Sequence, residues 1–241
     1  MPYTISATAL GELAMSGLCR RCVWIKMKST KLPYQSFPGI FSTIDRYVKR
    51  MVHTHFEREG KLPRWYPQVG DVIGLEQVPH YSKFTATDPK SGVTLRGEPD
   101  DVLRLRGSGY HIVDYKTARL STSAQGMFPR YEAQLNAYAY IAARHDLSPV
   151  TGLSLIYLDP ETDVEDHPKL LDRSREEFLL GFTPRQQDVT LKPEAYVEDL
   201  LARAAELYAL DAPPAGKPGC RDCQALEMLI QVADTGEDIV S

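Results

Sequence analysis

The stretch Gly97-Glu-Pro-Asp100-Asp101-Val-Leu-Arg-Leu-Arg106-Gly107-Ser-Gly109-Tyr-His-Ile-Val-Asp114-Tyr115-Lys116 decides how this chain folds. Gly107-Ser-Gly109 is a turn signal between two strand-like runs, so the segment reads as a β-hairpin. Partners facing each other in an antiparallel ladder share a face of the sheet. A three-residue loop pairs Arg106 with Tyr110, which sets Asp100 opposite Lys116 and leaves Asp114 one diagonal away on the same side. A two-residue loop changes the parity and brings Asp101 there instead. Either way, two carboxylates and a lysine converge. The plain alternative is a surface ion pair between Asp114 and Lys116.

Such a cluster suits hydrolysis assisted by a divalent metal. Two aspartates are hard oxygen ligands for Mg²⁺ or Mn²⁺, and the backbone carbonyl of Tyr115 offers a third oxygen. The cation polarises a phosphodiester and acidifies a water, while Lys116 orients that water or stabilises developing charge.

Outward from the hairpin, the stretch from Val69 to Tyr115 reads as strands, with a second turn at Asp88-Pro-Lys-Ser-Gly92. Upstream, a helix is expected from about Ser42 to Glu59, striped by Ile44, Val48, Met51, Val52 and Phe56. Pro33 and Phe37-Pro38-Gly39 mark the loop before it, and residues 1–28 read as a short helical entry. Downstream, Pro129 opens a helix to about Arg144. Gly152-Leu-Ser-Leu-Ile-Tyr-Leu158 is a buried strand, and an acidic loop covers 160–175. A last helix starts at Pro193, with Val197, Leu200, Leu201, Ala204 and Leu207 on one face, and Pro213-Pro214 stops it. The order predicts one mixed α/β domain over 1–241. Gln134 and Tyr138 stand four apart on the helix after the hairpin and so share a face of it.

Gly97-x-x-Asp100, Asp114-x-Lys116 and Gln134-x-x-x-Tyr138, in that order and spacing, resemble the core of the PD-(D/E)xK nuclease superfamily. More narrowly they resemble its RecB-like exonuclease branch, which includes the CRISPR-associated iron–sulfur nucleases. The likeness spans about residues 94–140. It implies a restriction-endonuclease-like core (about 40–210) with a mixed central sheet flanked by helices. It implies Asp100 and Asp114 as metal ligands, Lys116 as the catalytic lysine, and Gln134 and Tyr138 beside DNA and the active site. The expected activity is hydrolysis of DNA, as an exonuclease on single-stranded or end-bearing substrates, in repair, recombination or CRISPR adaptation. A helicase or CRISPR integrase subunit is the implied protein partner. The rival reading is a catalytically silent nuclease fold that binds DNA or serves assembly. The branch usually adds a histidine from the preceding helix, and here Asp45, His53 and His55 are the candidates, none at the expected offset.

Cys19-Arg-Arg-Cys22 and Cys220-Arg-Asp-Cys223 lie at opposite ends of the chain, too far apart for a local zinc ribbon. Four gathered thiolates hold a [4Fe–4S] cluster or a zinc ion, and either ties the segments 1–30 and 211–241 into one lobe. Two separate redox pairs lack a thioredoxin-like context. The resemblance favours a structural iron–sulfur cluster. Its relatives usually divide their cysteines one and three, so the two-plus-two division here keeps zinc open.

Composition sets the outer limits. The chain has 241 residues, 43% hydrophobic and 25% charged, the profile of a globular protein. No run approaches a membrane span, and no Lys or Arg precedes Arg20, so a cytoplasmic location is expected. The net charge is −4, yet residues 18–64 hold 11 Lys/Arg against 3 Asp/Glu, while 159–241 hold 8 against 19. A basic N-terminal third on an acidic chain points to one face that meets a polyanion, or to two ends that attract each other. Arg20, Arg21, Lys26 and Lys28 around Trp24 are candidates for a path for single-stranded DNA.

Overall fold

The computed structural model describes residues 3–29, 38–107, 109–121, 126–171 and 178–236. A five-stranded sheet positions the site. It is built from β2 (Val72–Glu76), β5 (Asp101–Leu105), β6 (Gly109–Lys116), β7 (Val150–Pro160) and β8 (Phe182–Val189), in the order β2-β5-β6-β7-β8. The β6–β7 pair is parallel and the other pairs are antiparallel. A smaller sheet, β1 (Thr4–Ser6), β3 (Thr85–Thr87) and β4 (Thr94–Arg96), runs in the order β1-β4-β3. The Asp88–Gly92 turn joins β3 to β4, where the Asp88 carboxylate accepts from the Ser91 amide and hydroxyl.

Helices cover both faces of the large sheet. On one lies α3 (Gly39–Glu59), after the short α1 (Ala7–Glu12) and α2 (Arg20–Lys28). Its Val48 and Val52 pack with Leu103, Val113, Ile156 and Leu158. On the other lie α4 (Phe128–Ala142) and α5 (Glu194–Tyr208), whose Leu135, Ile141, Leu200 and Leu201 pack with Val102, Ile112, Leu153 and Leu155. Alternate residues of each strand therefore feed two cores, as the period of two requires. Fully burying a side chain such as Leu135 contributes about 1.5–3 kcal/mol, and Leu135→Ala costs roughly 2–5 kcal/mol because a cavity remains.

The expected mixed sheet flanked by helices is present. Several elements differ in detail. The last predicted helix ends at Tyr208, before the prolines at 213 and 214, and α6 (Arg221–Thr235) follows them. The entry segment includes β1 as well as helix. The edge strand β8 was not expected, since Phe182-Thr-Pro-Arg-Gln-Gln-Asp-Val189 is polar and buries only Val189. An edge strand with one face in solvent needs no apolar run. The loop at Pro33 and residues 172–175 of the acidic loop lie outside the described residues. Among the described residues, no helix is long and apolar enough to cross a membrane.

Candidate active site and cysteine centre

The β5–β6 hairpin sets the register. Leu105 pairs with Gly109 and Asp101 with Val113. One further step puts Asp100 directly opposite Asp114, not opposite Lys116 as the 107–109 loop predicted. The register differs by two because Gly109 belongs to the strand. A Cβ on Gly109 would lie 2.7 Å from the Thr151 side chain of β7, so this strand start accepts only glycine without a shift. A shift of two preserves the face, so Asp100, Asp114 and Lys116 still project on the α4 side. Asp101 points to the other face.

The Asp114 side chain is 6% exposed and that of Asp100 is 14% exposed. Asp100 Oδ2 accepts from the Tyr115 amide at 2.6 Å, so the backbone of β6 itself holds the opposite carboxylate. Burial, then the nearby Asp114 carboxylate, pushes the Asp100 pKa up, and the Lys49 ammonium opposes them. Asp114 Oδ2 lies 2.5 Å from Lys116 Nζ and makes no hydrogen bond of good geometry. Its Oδ1 accepts from Gln134 Nε2 at 3.2 Å, and the same amide donates to the Tyr138 hydroxyl at 2.8 Å. The expected i, i+4 pair on α4 therefore acts as one unit on Asp114. Burial, then Asp114, raises the Tyr138 pKa. Gly97 explains itself here: a Cβ would meet the Tyr138 ring at 2.5 Å, so the glycine lets this aromatic approach the strand that leads to Asp100.

Two residues that sequence reasoning missed complete the site. Lys49 of α3 reaches Asp100 Oδ1 at 2.6 Å and Asp45 Oδ2 at 3.2 Å. Tyr131 of α4 lies under Lys116, whose Nζ is 4.4 Å from the ring centroid. The signals were available: Lys49 is four residues after Asp45, and Tyr131 is three before Gln134, each at helical-face spacing. A cleft of about 420 Å³ adjoins the site at Lys116 and Tyr131, lined also by Phe41, Asp45 and the Tyr115–Ala118 segment; Asp100 and Asp114 lie behind this lining.

The three candidates on α3 part company. Asp45 lines the cleft and is tied to Asp100 through Lys49. His53 faces away from it and pairs with Asp101 Oδ1 at 2.6 Å. That carboxylate also accepts from the Tyr115 hydroxyl, whose oxygen shares a second hydrogen bond with the Tyr66 hydroxyl at 3.2 Å. His55 lies further out, and its Nε2 has no hydrogen-bond partner.

Two buried carboxylates face each other across a ladder, one with an oxygen that lacks a hydrogen bond. The donor set is hard oxygen, and the pair's repulsion is what a divalent cation relieves, so the residues fit Mg²⁺ or Mn²⁺. Among the described residues, no third carboxylate or histidine lies within ligand spacing of the pair; the cysteines form the one group of three or more that does.

The cysteines Cys19, Cys22, Cys220 and Cys223 have their sulfurs within 4.8 Å of one another and are all free thiols. The symmetry of the arrangement is physical. Cys19 caps α2 and Cys220 caps α6, which puts Cys22 and Cys223 in the first turns. Two positive helix ends thus converge on four thiols and favour their thiolates. Burial raises the Cys19 pKa, but the Lys217 amide, 3.3 Å from its sulfur, and further hydrogen bonds bring it down to about 6. Burial and the adjoining thiols push Cys22 up instead. Of the fifteen residues of α6, only Cys223 is buried.

Three of the four candidate cations beside the first cysteine pair have local partners. Lys26 pairs with Glu12, Arg21 with Glu227, and Lys28 sits over Trp24 and Tyr208. Trp24 packs against the core and donates to the Leu210 carbonyl at 3.2 Å.

The sequence matches the family model of the PD-(D/E)XK nuclease superfamily over residues 20–228. The chain belongs to this superfamily. The match takes in the hairpin, α4 and three of the four cysteines of this PD-(D/E)XK chain, beginning one residue after Cys19. No curated protein matches the sequence. Solved structures resemble it at a distance. The crystal structure of LHK-Exo in complex with dAMP shares 12% identity at a TM-score of 0.43, over 95% of this chain and 93% of that one. The crystal structure of SSO0001 shares 11% at 0.40, over 89% and 80%.

Proposed function

We propose that the chain is a divalent-metal-dependent deoxyribonuclease in which Asp100 and Asp114 hold Mg²⁺ or Mn²⁺. The observation that carries this reading is the face-to-face placement of Asp100 and Asp114 with Lys116 on the same side, within a PD-(D/E)XK chain. When bound, the cation supplies electrophilic polarisation of the phosphodiester and charge neutralisation. The backbone at Tyr115 lines the cleft and offers its carbonyl as a further oxygen. Gln134, anchored on Tyr138, orients the Asp114 carboxylate. Tyr131 and Asp114 position the Lys116 ammonium at the cleft, where it donates to the attacking water or to the charge that develops on phosphate. Lys49 favours the ionised form of Asp100 and partly offsets its burial.

The four thiolates are read as a structural [4Fe–4S] centre, with zinc as the alternative, that fastens α6 to α2. Cleavage from DNA ends, a role in repair, recombination or CRISPR adaptation, a helicase or integrase partner, and a reducing cytoplasmic setting for the free thiols complete the proposal. Labelled single- and double-stranded DNA, incubated with the purified protein with and without Mn²⁺, tests it. Cation-dependent products are expected. DNA binding that weakens with salt but gives no product with Mg²⁺ or Mn²⁺ identifies a silent nuclease fold instead.

A further inference from the structure

The outer face of α3, turned away from the carboxylates, forms one wall of a groove of about 510 Å³. Tyr47, Arg50, Met51, His55 and Arg58 of the helix line it together with Trp65 from the segment that follows. Tyr47 is 64% exposed, and Arg50 and Arg58 are exposed. Glu59 also lines the groove, one carboxylate against two guanidiniums. Among the described residues, Arg46, Arg50 and Arg58 have no ion-pair partner. On α2, Arg21, Lys26 and Lys28 are engaged by local partners, so much of the unpaired excess of the basic third resides on α3. His55 Nε2 is shielded from solvent and lacks a hydrogen-bond partner.

We propose that this groove binds single-stranded nucleic acid, with bases against Tyr47 and Trp65 and phosphates at Arg50 and Arg58. The choice of ligand rests on the nuclease reading above; the groove's chemistry does not. Unpaired guanidiniums beside exposed aromatic faces are what a single strand uses, since every base has a π-face and every linkage a charge. Continuity favours a strand over an acidic peptide. At 100° per residue, Asp45 and Lys49 face the catalytic cleft, Arg46 and Arg50 occupy the adjoining arc, and Tyr47, Thr54 and Arg58 follow around the helix. One cationic track thus leads from the cleft to the groove. Crossing a helix of about 10–12 Å diameter takes roughly three nucleotides at a rise near 3.4 Å each.

The test uses full-length protein and fluorescein-labelled oligothymidylate of twenty nucleotides, with anisotropy read in EDTA over a range of salt. The double variant Arg50→Glu/Arg58→Glu is expected to bind at least about ten-fold more weakly, with the salt slope reduced by about 1.4 for two phosphate contacts. Tyr47→Ala, a surface change, should weaken binding about ten-fold through lost stacking. Cleavage of a dinucleotide, too short to span α3, should be unchanged in both variants while cleavage of the long strand falls. Unchanged affinity and slope in the double variant overturn the proposal, as does an acidic peptide that binds the groove while the oligonucleotide does not. Equal loss of short- and long-substrate cleavage also overturns it. Wild-type protein that binds the strand through these residues but cleaves nothing supports the groove and removes the nuclease reading.

Discussion

The carboxylate site and the cysteine centre are each assembled from two short motifs, but over very different lengths of chain. Asp114 sits on β6 and Asp100 one residue before β5, held there by the hairpin ladder that starts at Asp101 and by the Tyr115 amide on its carboxylate. Cys19 and Cys223 stand 204 residues apart and meet only because two helices begin at the same place. The first pair is held by the sheet whatever it binds, and pays for that with two like charges close together. The second has little else to hold it, since α6 buries only Cys223. On the proposed reading, one region is a rigid frame for a catalytic cation, and the other is a clasp whose strength would be that of the metal its thiols hold.

Removing a ligand from each region should therefore break different things. Asp114→Asn is expected to lower cleavage on the order of 10³-fold or more, because the cation's charge stabilisation supplies several kcal/mol. Circular dichroism and thermal midpoint should be near those of the parent, since the change also relieves repulsion with Asp100. Cys223→Ser should do the reverse. Opening a loop of this length forfeits roughly 5 kcal/mol of closure entropy by the cross-link estimate. At about 2–4 °C per kcal/mol for a chain of this size, the midpoint should fall on the order of 10 °C. Metal content should drop, and proteases should cut within 224–236. Cleavage per folded molecule at low temperature should stay within a few-fold of the parent. A Cys223→Ser protein as stable as the parent but inactive would merge the two regions into one.

A finer contrast lies within the carboxylate site. Lys49 opposes the upward shift of the Asp100 pKa, so Lys49→Gln should move the acid limb of the cleavage profile up by about one unit. An unchanged limb would mean that Asp100 does not need to ionise. The smallest effect belongs to the opposite face. The Asp101 hydrogen bond raises the His53 pKa, against the pull of burial. Stability from that pairing is complete below the unfolded value near 6.5 and is lost as pH rises through the higher folded value. His53→Gln should therefore flatten the decline of the thermal midpoint between pH 6 and 8 and leave cleavage unaltered.

How far the sequence could be read follows the same division. The alternation of Asp114 and Lys116 about Tyr115, and the parity of the hairpin, located the shared face and narrowed its first carboxylate to Asp100 or Asp101, between which the family resemblance named Asp100. The register itself was hidden, because what seats Gly109 in the strand is Thr151, forty-two residues on. Gln134 and Tyr138 were legible as a helical pair, but not that one amide serves both Asp114 and Tyr138. Lys49 escaped notice because its partner Asp100 lies on another element. The two C-x-x-C motifs were visible, whereas α6 was masked by a tail that buries almost nothing, and β8 by a face open to water.

The most direct test measures Mn²⁺ binding and Mn²⁺-dependent DNA cleavage in Asp100→Asn, Asp101→Asn and Asp114→Asn side by side. The account predicts that Asp100→Asn and Asp114→Asn each lose the site and the cleavage, while Asp101→Asn keeps both. Retention of cation and turnover by Asp100→Asn, with loss in Asp101→Asn, would contradict it.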